Sequence, residues 1–171
     1  MKKTLSMLLA GAMLATALTG CGGSASSSSD SQNSGSDSTA SGTAFQIGGT
    51  GPLTGAAAIY GNAAKNGAQI AVDEINAEGG DIQFELNYQD DEHDAEKAVN
   101  AYNTLKDWGM QLSLGSVTSK PCEATAAENY SDRIFALTPS ASSVAVTEGK
   151  DNVFQMCFMD PNQGTASAQY I

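Results

Sequence analysis

Beyond the serine-rich stretch that precedes residue 44, hydroxyl groups gather at two places in this chain. Ser116, Thr118 and Ser119 lie within GSVTS, and Ser140, Ser142 and Ser143 lie within PSASS. A third stretch, Gly49 to Tyr60, is rich in glycine and ends on a phenol. Serines that lead into a helix place hydroxyls and unpaired backbone N–H groups at the positive end of the helix dipole, a setting that suits a carboxylate or a phosphate. Serines in an open loop offer hydroxyls and free carbonyls to an ammonium group. Taken together the clusters supply both halves of the recognition of a zwitterion. Taken singly, each serine reads as a helix cap or turn residue, and only their joint placement points to a shared crevice.

That placement depends on the elements around them. Phe45 and Ile47 alternate with polar neighbours as a first strand, and the glycines with Pro52 forbid its continuation through Thr54 and Gly55. Helical spacing follows, with Ala64, Ala68, Ala71, Val72 and Ile75 on one stripe and Gly79-Gly80 as the stop. Ile82, Phe84, Leu86 and Tyr88 form a second strand; Asp94 caps a helix carrying Ala98, Val99, Tyr102 and Leu105, and Gly109 ends it. Met110 to Leu114 reads as a third strand, and Pro121 opens the next helix. Arg133 to Leu137 and Asn152 to Phe158 read as the fourth and fifth strands, and Asp160-Pro161 starts a last helix. Strict alternation predicts an α/β fold, a doubly wound parallel sheet with right-handed crossovers and both faces covered. The three chemical stretches then fall at the carboxyl ends of strands, where open α/β sheets hold their ligands.

The first 43 residues are of another kind. Lys2 and Lys3 precede an apolar run from Leu5 to Leu18, and Leu18-Thr19-Gly20-Cys21 places small residues directly before a cysteine. Residues 1–20 therefore read as an export signal, too short to span a membrane comfortably. The spacing resembles a bacterial lipoprotein box, which would make Cys21 the acylated first residue. Residues 21–43 then form a Ser/Gly-rich tether with almost nothing to bury. Such a coil has a reach of about 25 Å, enough to hold a folded domain, 44–171, clear of a membrane surface.

Without Lys2 and Lys3 the chain keeps six basic against nineteen acidic residues. That balance excludes the basic footprint that nucleic acid or an anionic lipid surface requires. Cys122 and Cys157 remain after Cys21, and the sequence leaves open whether they pair or stay as free thiols. Gly49-Thr50-Gly51 follows a strand, but the third glycine of a dinucleotide fingerprint is missing, Pro52 intrudes, and the helix begins about ten residues late. Glu92-His93-Asp94 reads as a capping turn in preference to a metal site, since the chain has one histidine. The nucleophile-elbow pattern G-x-S-x-G is absent. The expectation is a binding protein with no catalytic apparatus, no cofactor and no metal.

Five pieces of the chain carry a resemblance: GPLTGAAAIYGNAAKNGAQIAVDEINAEGG, DDEHDAEKAV, LGSVTS, LTPSASS and DPNQGTASAQYI. They resemble the leucine/isoleucine/valine-binding proteins of the type I periplasmic-binding fold, the extracytoplasmic receptors of branched-chain amino-acid ABC importers, from Phe45 to Ile171. The resemblance implies that Ser119 holds the ligand carboxylate through its hydroxyl and backbone. It implies that Ser142 uses its hydroxyl and Ser140 its carbonyl toward the ammonium group, and that Tyr60 walls the side-chain pocket. Many relatives have a threonine where this chain has Ser142, a change that keeps the hydroxyl. Some carry a disulfide between the positions of His93 and Thr118, which this chain does not have. The second lobe, the hinge and an acidic partner for the ammonium fall beyond Ile171 in the family, so the chain reads as an incomplete first lobe.

The expected function is an exported, lipid-anchored receptor that captures an amino acid, of branched-chain type first, and delivers it to the transmembrane subunits of a permease. Two alternatives stand beside it. The same fold serves sensory ligand-binding domains, which a downstream transmembrane helix would mark. A chain that truly stops at Ile171 would be a non-functional fragment with half its cleft.

Overall fold

A computed structural model describes residues 44–171. The export signal, Cys21 and the tether lie outside the described residues. The elements run β1 (Ala44–Gly51), α1 (Ala58–Ala77), β2 (Gln83–Asp90), α2 (Ala95–Trp108), β3 (Leu112–Leu114), α3 (Ser119–Asp132), β4 (Phe135–Thr138), a single 3-10 turn (Val144–Val146), β5 (Val153–Gln155) and α4 (Asp160–Tyr170).

The strands form one sheet in the order β2-β1-β3-β4-β5, and every pair is parallel. β1 pairs with β2 along its whole length, from Ala44 opposite Gln83 to Gly51 opposite Asp90, and with β3 from Ile47 to Gly49. The strand order reverses between β1 and β3, so the loops leaving these two strands diverge and open a crevice between them.

Helices α2 and α3 pack against each other on one face of the sheet. Two buried clusters lie beneath them: Tyr102, Leu105 and Met110 under α2, and Cys122, Ala126, Ala136, Ala141, Val146 and Val153 around α3. Tyr102, a buried side chain, donates its hydroxyl to Asp132 Oδ2 at 2.9 Å, and Lys106 pairs with the same carboxylate.

The opposite face carries helix α1 and, among the described residues, is covered only in part. Helix α1 packs chiefly on β1 and β2. Between α1 and the strands β3 to β5 runs an open apolar groove of about 540 Å³, bounded by Ala64, Gly67, Tyr88, Leu114, Leu137 and Met156. Farther along this face Phe135 and Phe154 stack with ring centres 5.4 Å apart, each close to half exposed. The helical stripe shows the same pattern: Val72 is buried, Ala64 and Ala68 are half-buried, and Ala71 and Ile75 are exposed.

Several boundaries move from their expected places for reasons of capping. Helix α3 begins at Ser119, with Thr118 as its N-cap, two residues before Pro121. Met110 sends its N–H to Leu105 as part of the turn closing α2 at Gly109, so β3 starts only at Leu112. Arg133 takes the left-handed C-cap position of α3, and Ile134 donates to Asn129, which delays β4 to Phe135. The fifth strand ends at Gln155 instead of Phe158, and α4 follows with none of its residues buried.

Candidate functional site

The crevice at the switch point is built from three loops. The first leaves β1 at Gly51 and returns into α1. Asp90, at the end of β2, clamps it: Oδ1 accepts the Leu53 N–H at 2.8 Å and the Glu92 N–H at 2.9 Å, and Oδ2 accepts the Thr54 hydroxyl at 2.6 Å. Gly61 lets α1 lie on this loop, because a Cβ there would sit 2.0 Å from the Pro52 carbonyl oxygen. Tyr60 therefore stands in the first turn of α1, one residue before that contact and not in the loop itself, and its side chain is exposed at the rim.

Beneath the crevice lies Asp91, fully buried. Its Oδ1 accepts the His93 N–H at 2.9 Å and its Oδ2 has no partner. Burial raises its pKa above the ordinary value, against the opposing effect of the His93 N–H. Asp90 behaves in the opposite sense. Burial pulls its pKa up as well, but the bonds from the Thr54 hydroxyl and the Glu92 and Leu53 amides outweigh this and leave it more acidic than usual.

The second and third loops, which leave β3 and β4, are laced together. Thr138 Oγ1 donates to the Ser116 carbonyl at 2.8 Å, and Ser140 Oγ donates to the Val117 carbonyl at 2.7 Å. Ser116 and Thr50 share a buried hydroxyl–hydroxyl bond of 2.5 Å, which joins β3 to β1. Ser119 Oγ accepts two amides from the β4 loop, Ser142 N–H at 3.2 Å and Ser143 N–H at 3.4 Å. With its oxygen so occupied, the Ser119 hydroxyl keeps its hydrogen for another acceptor. Ser119 and Lys120 are the first two residues of α3, so their N–H groups have no acceptor within the helix.

Tyr60, Val117, Thr118, Ser119 and Ser140 line a cleft of about 350 Å³. The structure thus brings three of the four residues singled out in the sequence to one concavity. Ser140 spends its hydroxyl on Val117 and keeps its carbonyl free of partners among the described residues. Ser142 is half-buried behind the lining; its carbonyl accepts the Asp160 N–H at 3.0 Å and its hydroxyl is uncommitted. Ser143 caps the 3-10 turn with its hydroxyl through the Ala145 N–H, and reaches the cleft only through its own N–H on Ser119 Oγ.

The larger groove beside α1 is walled by side chains that are apolar apart from the Tyr88 phenol, and offers no convergence of donors and acceptors. Gly49 and Gly51 make room for the ring of Tyr88, whose atoms would lie 2.4 Å and 2.8 Å from added Cβ atoms. The close approach there is thus made by a side chain of this protein. No cluster of three potential metal ligands occurs among the described residues, and His93 Nδ1 instead meets Thr118 Oγ1 at 2.9 Å. Cys122 is buried, its thiol pushed up to about 12 by that burial, and Cys157 bonds the Ala141 carbonyl at 3.3 Å; both are free.

Sequence reasoning missed the roles of Asp90, Asp91, His93 and Thr118. The DDEHD run reads as a helix start, and the clamp it forms on the β1 and β3 loops joins residues 25 to 37 positions apart. The available signal was the pair of aspartates directly after an alternating strand.

A parallel sheet of order 2-1-3-4-5, with polar loops converging at its switch point, defines this molecule as a lobe of the type I periplasmic-binding fold. The chain belongs to the periplasmic binding protein family, whose profile it matches over residues 44–171. Among its relatives is the Leu/Ile/Val-binding protein BraC3 of Rhizobium johnstonii, 37% identical over 131 residues that cover 73% of this chain and 35% of that protein. Among solved structures, a leucine binding protein LivK from Thermotoga maritima superposes with a TM-score of 0.66 at 27% identity, over 74% of this chain and 36% of that one. The branched-chain amino acid transporter substrate binding protein LivJ from Streptococcus pneumoniae, solved in complex with isoleucine, gives 0.65 at 31% identity, over 69% and 35%. The chain thus spans about a third of the length of these relatives.

Proposed function

We propose that residues 44–171 are the first lobe of an extracytoplasmic receptor that captures an amino acid, of branched-chain type, for an ABC permease. The observation that carries this reading is the hydrogen bonding of Ser119. Its oxygen is filled by two amides of the β4 loop, so its hydrogen, with the Ser119 and Lys120 N–H groups, forms a set of donors with no acceptor among the described residues. Such a set at a helix start suits a carboxylate. The Ser140 carbonyl and the Ser142 hydroxyl supply acceptors for the ammonium group, and Tyr60 forms a wall beside the side chain. The ligand side chain and the remainder of the ammonium shell are completed by a second lobe, which closes over the first about a hinge.

Outside the described residues, the charged and apolar run before Cys21 supports export and acylation, with residues 21–43 as the tether. The receptor then works from the outer face of the cell membrane and meets its permease there. The names of the relatives above support this assignment, and the acidic charge of the chain fits neither nucleic acid nor anionic lipid as a partner.

The ligand assignment is tested by calorimetric titration of the full-length protein with leucine, isoleucine, valine and leucinamide. Binding of the three amino acids with loss of at least tenfold for leucinamide is expected, since the amide removes the charge that the helix start recognises. Equal binding of leucine and leucinamide would remove the carboxylate role from Ser119. The anchor is tested by the intact mass of the protein extracted from its native membrane, which should correspond to a chain starting at Cys21 and carrying acyl groups.

A further inference from the structure

We infer that His93 is a positioning residue of the ligand cleft: by holding the hydroxyl of Thr118, it keeps the Lys120 amide in the first turn of α3 uncapped and available to a ligand carboxylate. The inference rests on the reading of Ser119 and its neighbours as the carboxylate site.

Thr118 is the N-cap of α3, with the extended backbone usual for that position, yet its side chain makes no capping bond. A threonine in this place ordinarily turns its oxygen onto the N–H of the second or third helical residue. Here the third residue is Pro121, which has no N–H, so Lys120 is the sole amide that the Thr118 hydroxyl would cap. That amide belongs to the proposed carboxylate site. The hydroxyl is engaged instead by His93 Nδ1 at 2.9 Å, across a gap of 25 residues.

His93 is itself fixed in place. It has a left-handed backbone, φ 61°, directly after Glu92 at φ 48°. Its N–H is taken by the buried Asp91 carboxylate, while Asp90 takes the Glu92 N–H. Non-glycine residues rarely hold this backbone region, and two in succession need a surrounding that enforces it. The two aspartates provide that surrounding, and their product is an imidazole aimed at the N-cap of α3. Released from the imidazole, the Thr118 hydroxyl is free to rotate onto the Lys120 amide and compete with the ligand.

The test compares four forms of the full-length protein: wild type, His93→Gly, Thr118→Val and the double variant. Glycine removes the imidazole and accepts the positive φ without strain. His93→Asn, which also tolerates that region, replaces it if the glycine form folds poorly, and the same effect is expected. Titrated with leucine, His93→Gly should bind about three- to tenfold more weakly, the size of effect a single cap exerts. The double variant should bind like Thr118→Val alone, whatever that change costs by itself, because the competing hydroxyl is gone. A His93→Gly form that binds like wild type would overturn the inference. So would a double variant weaker than both single ones, the pattern of simple loosening.

A second readout needs no ligand. Amide hydrogen exchange at Lys120 should be slower in His93→Gly than in wild type and should return to the wild-type rate in the double variant. Unchanged exchange in His93→Gly would refute the inference even if leucine proved to be the wrong ligand. Failure of wild type to bind any amino acid, with the exchange pattern intact, would refute the ligand reading and leave the link between His93 and α3 established.

Discussion

Adjacent aspartates at the end of β2 show how strongly a side chain's role depends on what surrounds it. Asp90 is partly exposed and accepts three hydrogen bonds, and it becomes more acidic; Asp91 is buried with one oxygen unpartnered, and it becomes less acidic. The folded-state pKa of Asp91 lies above its unfolded value of about 3.9. Its contribution to stability is therefore full below that value and is lost as pH rises through the raised pKa. Asp91→Asn keeps an acceptor for the His93 N–H and removes the buried charge. Urea unfolding at a series of pH values should show the variant gaining on wild type as pH rises from the acid range to neutrality; a gain confined to acid pH would contradict the burial argument. None of this is visible in the sequence, where the two residues are chemically identical. The serines were more legible, because a hydroxyl before a helix start has few roles. The division of labour among Ser140, Ser142 and Ser143 depended on which oxygen each one commits to its own backbone surroundings.

At the scale of elements, succession of strand and helix was readable because β1 and β2 alternate apolar with polar residues over much of their length, glycine follows α1 and α2, and a proline stands near the start of α3 and α4. Boundaries were not, since they follow caps: Thr118, Gly109 and Arg133 decide where α3, β3 and β4 begin. Helix α1 lies close on the β1 loop at Gly61. Gly61→Ala drives a methyl group into the Pro52 carbonyl at 2.0 Å, a backbone atom that has no rotamer with which to yield. A loss of about 1 to 3 kcal/mol in unfolding free energy is expected, the usual cost of overpacking, measured by chemical denaturation. It should come with weaker ligand binding, because Tyr60 is the preceding residue. A variant as stable as wild type would mean that α1 shifts on the loop at little cost.

For the molecule as a whole, the exposed side of the sheet is the feature that pattern reading described least well. A parallel sheet predicts cover on both faces, and the residues that call for it are present: Leu114, Leu137 and Met156 line the open groove, while Phe135 and Phe154 stack in solvent. Residues 44–171 prepared alone should therefore self-associate, since apolar surface of this extent drives contact between copies. Light scattering should show a mass that rises with concentration, and Phe135→Lys with Phe154→Lys should return the protein to a monomer. A monomeric wild-type segment at high concentration would show that the face is tolerated in water. The central claim concerns the other end of the sheet, where α3 meets the β4 loop, and the measurement that tests it most directly is leucine affinity of the full-length protein with and without the Ser119 hydroxyl. Calorimetry on Ser119→Ala is expected to show a loss of about 1 to 3 kcal/mol, the cost of a missing hydrogen bond to a charged group, with unfolding stability changed by less than that. An unchanged affinity would contradict the account, because the donor set at the start of α3 would then not be what holds the ligand.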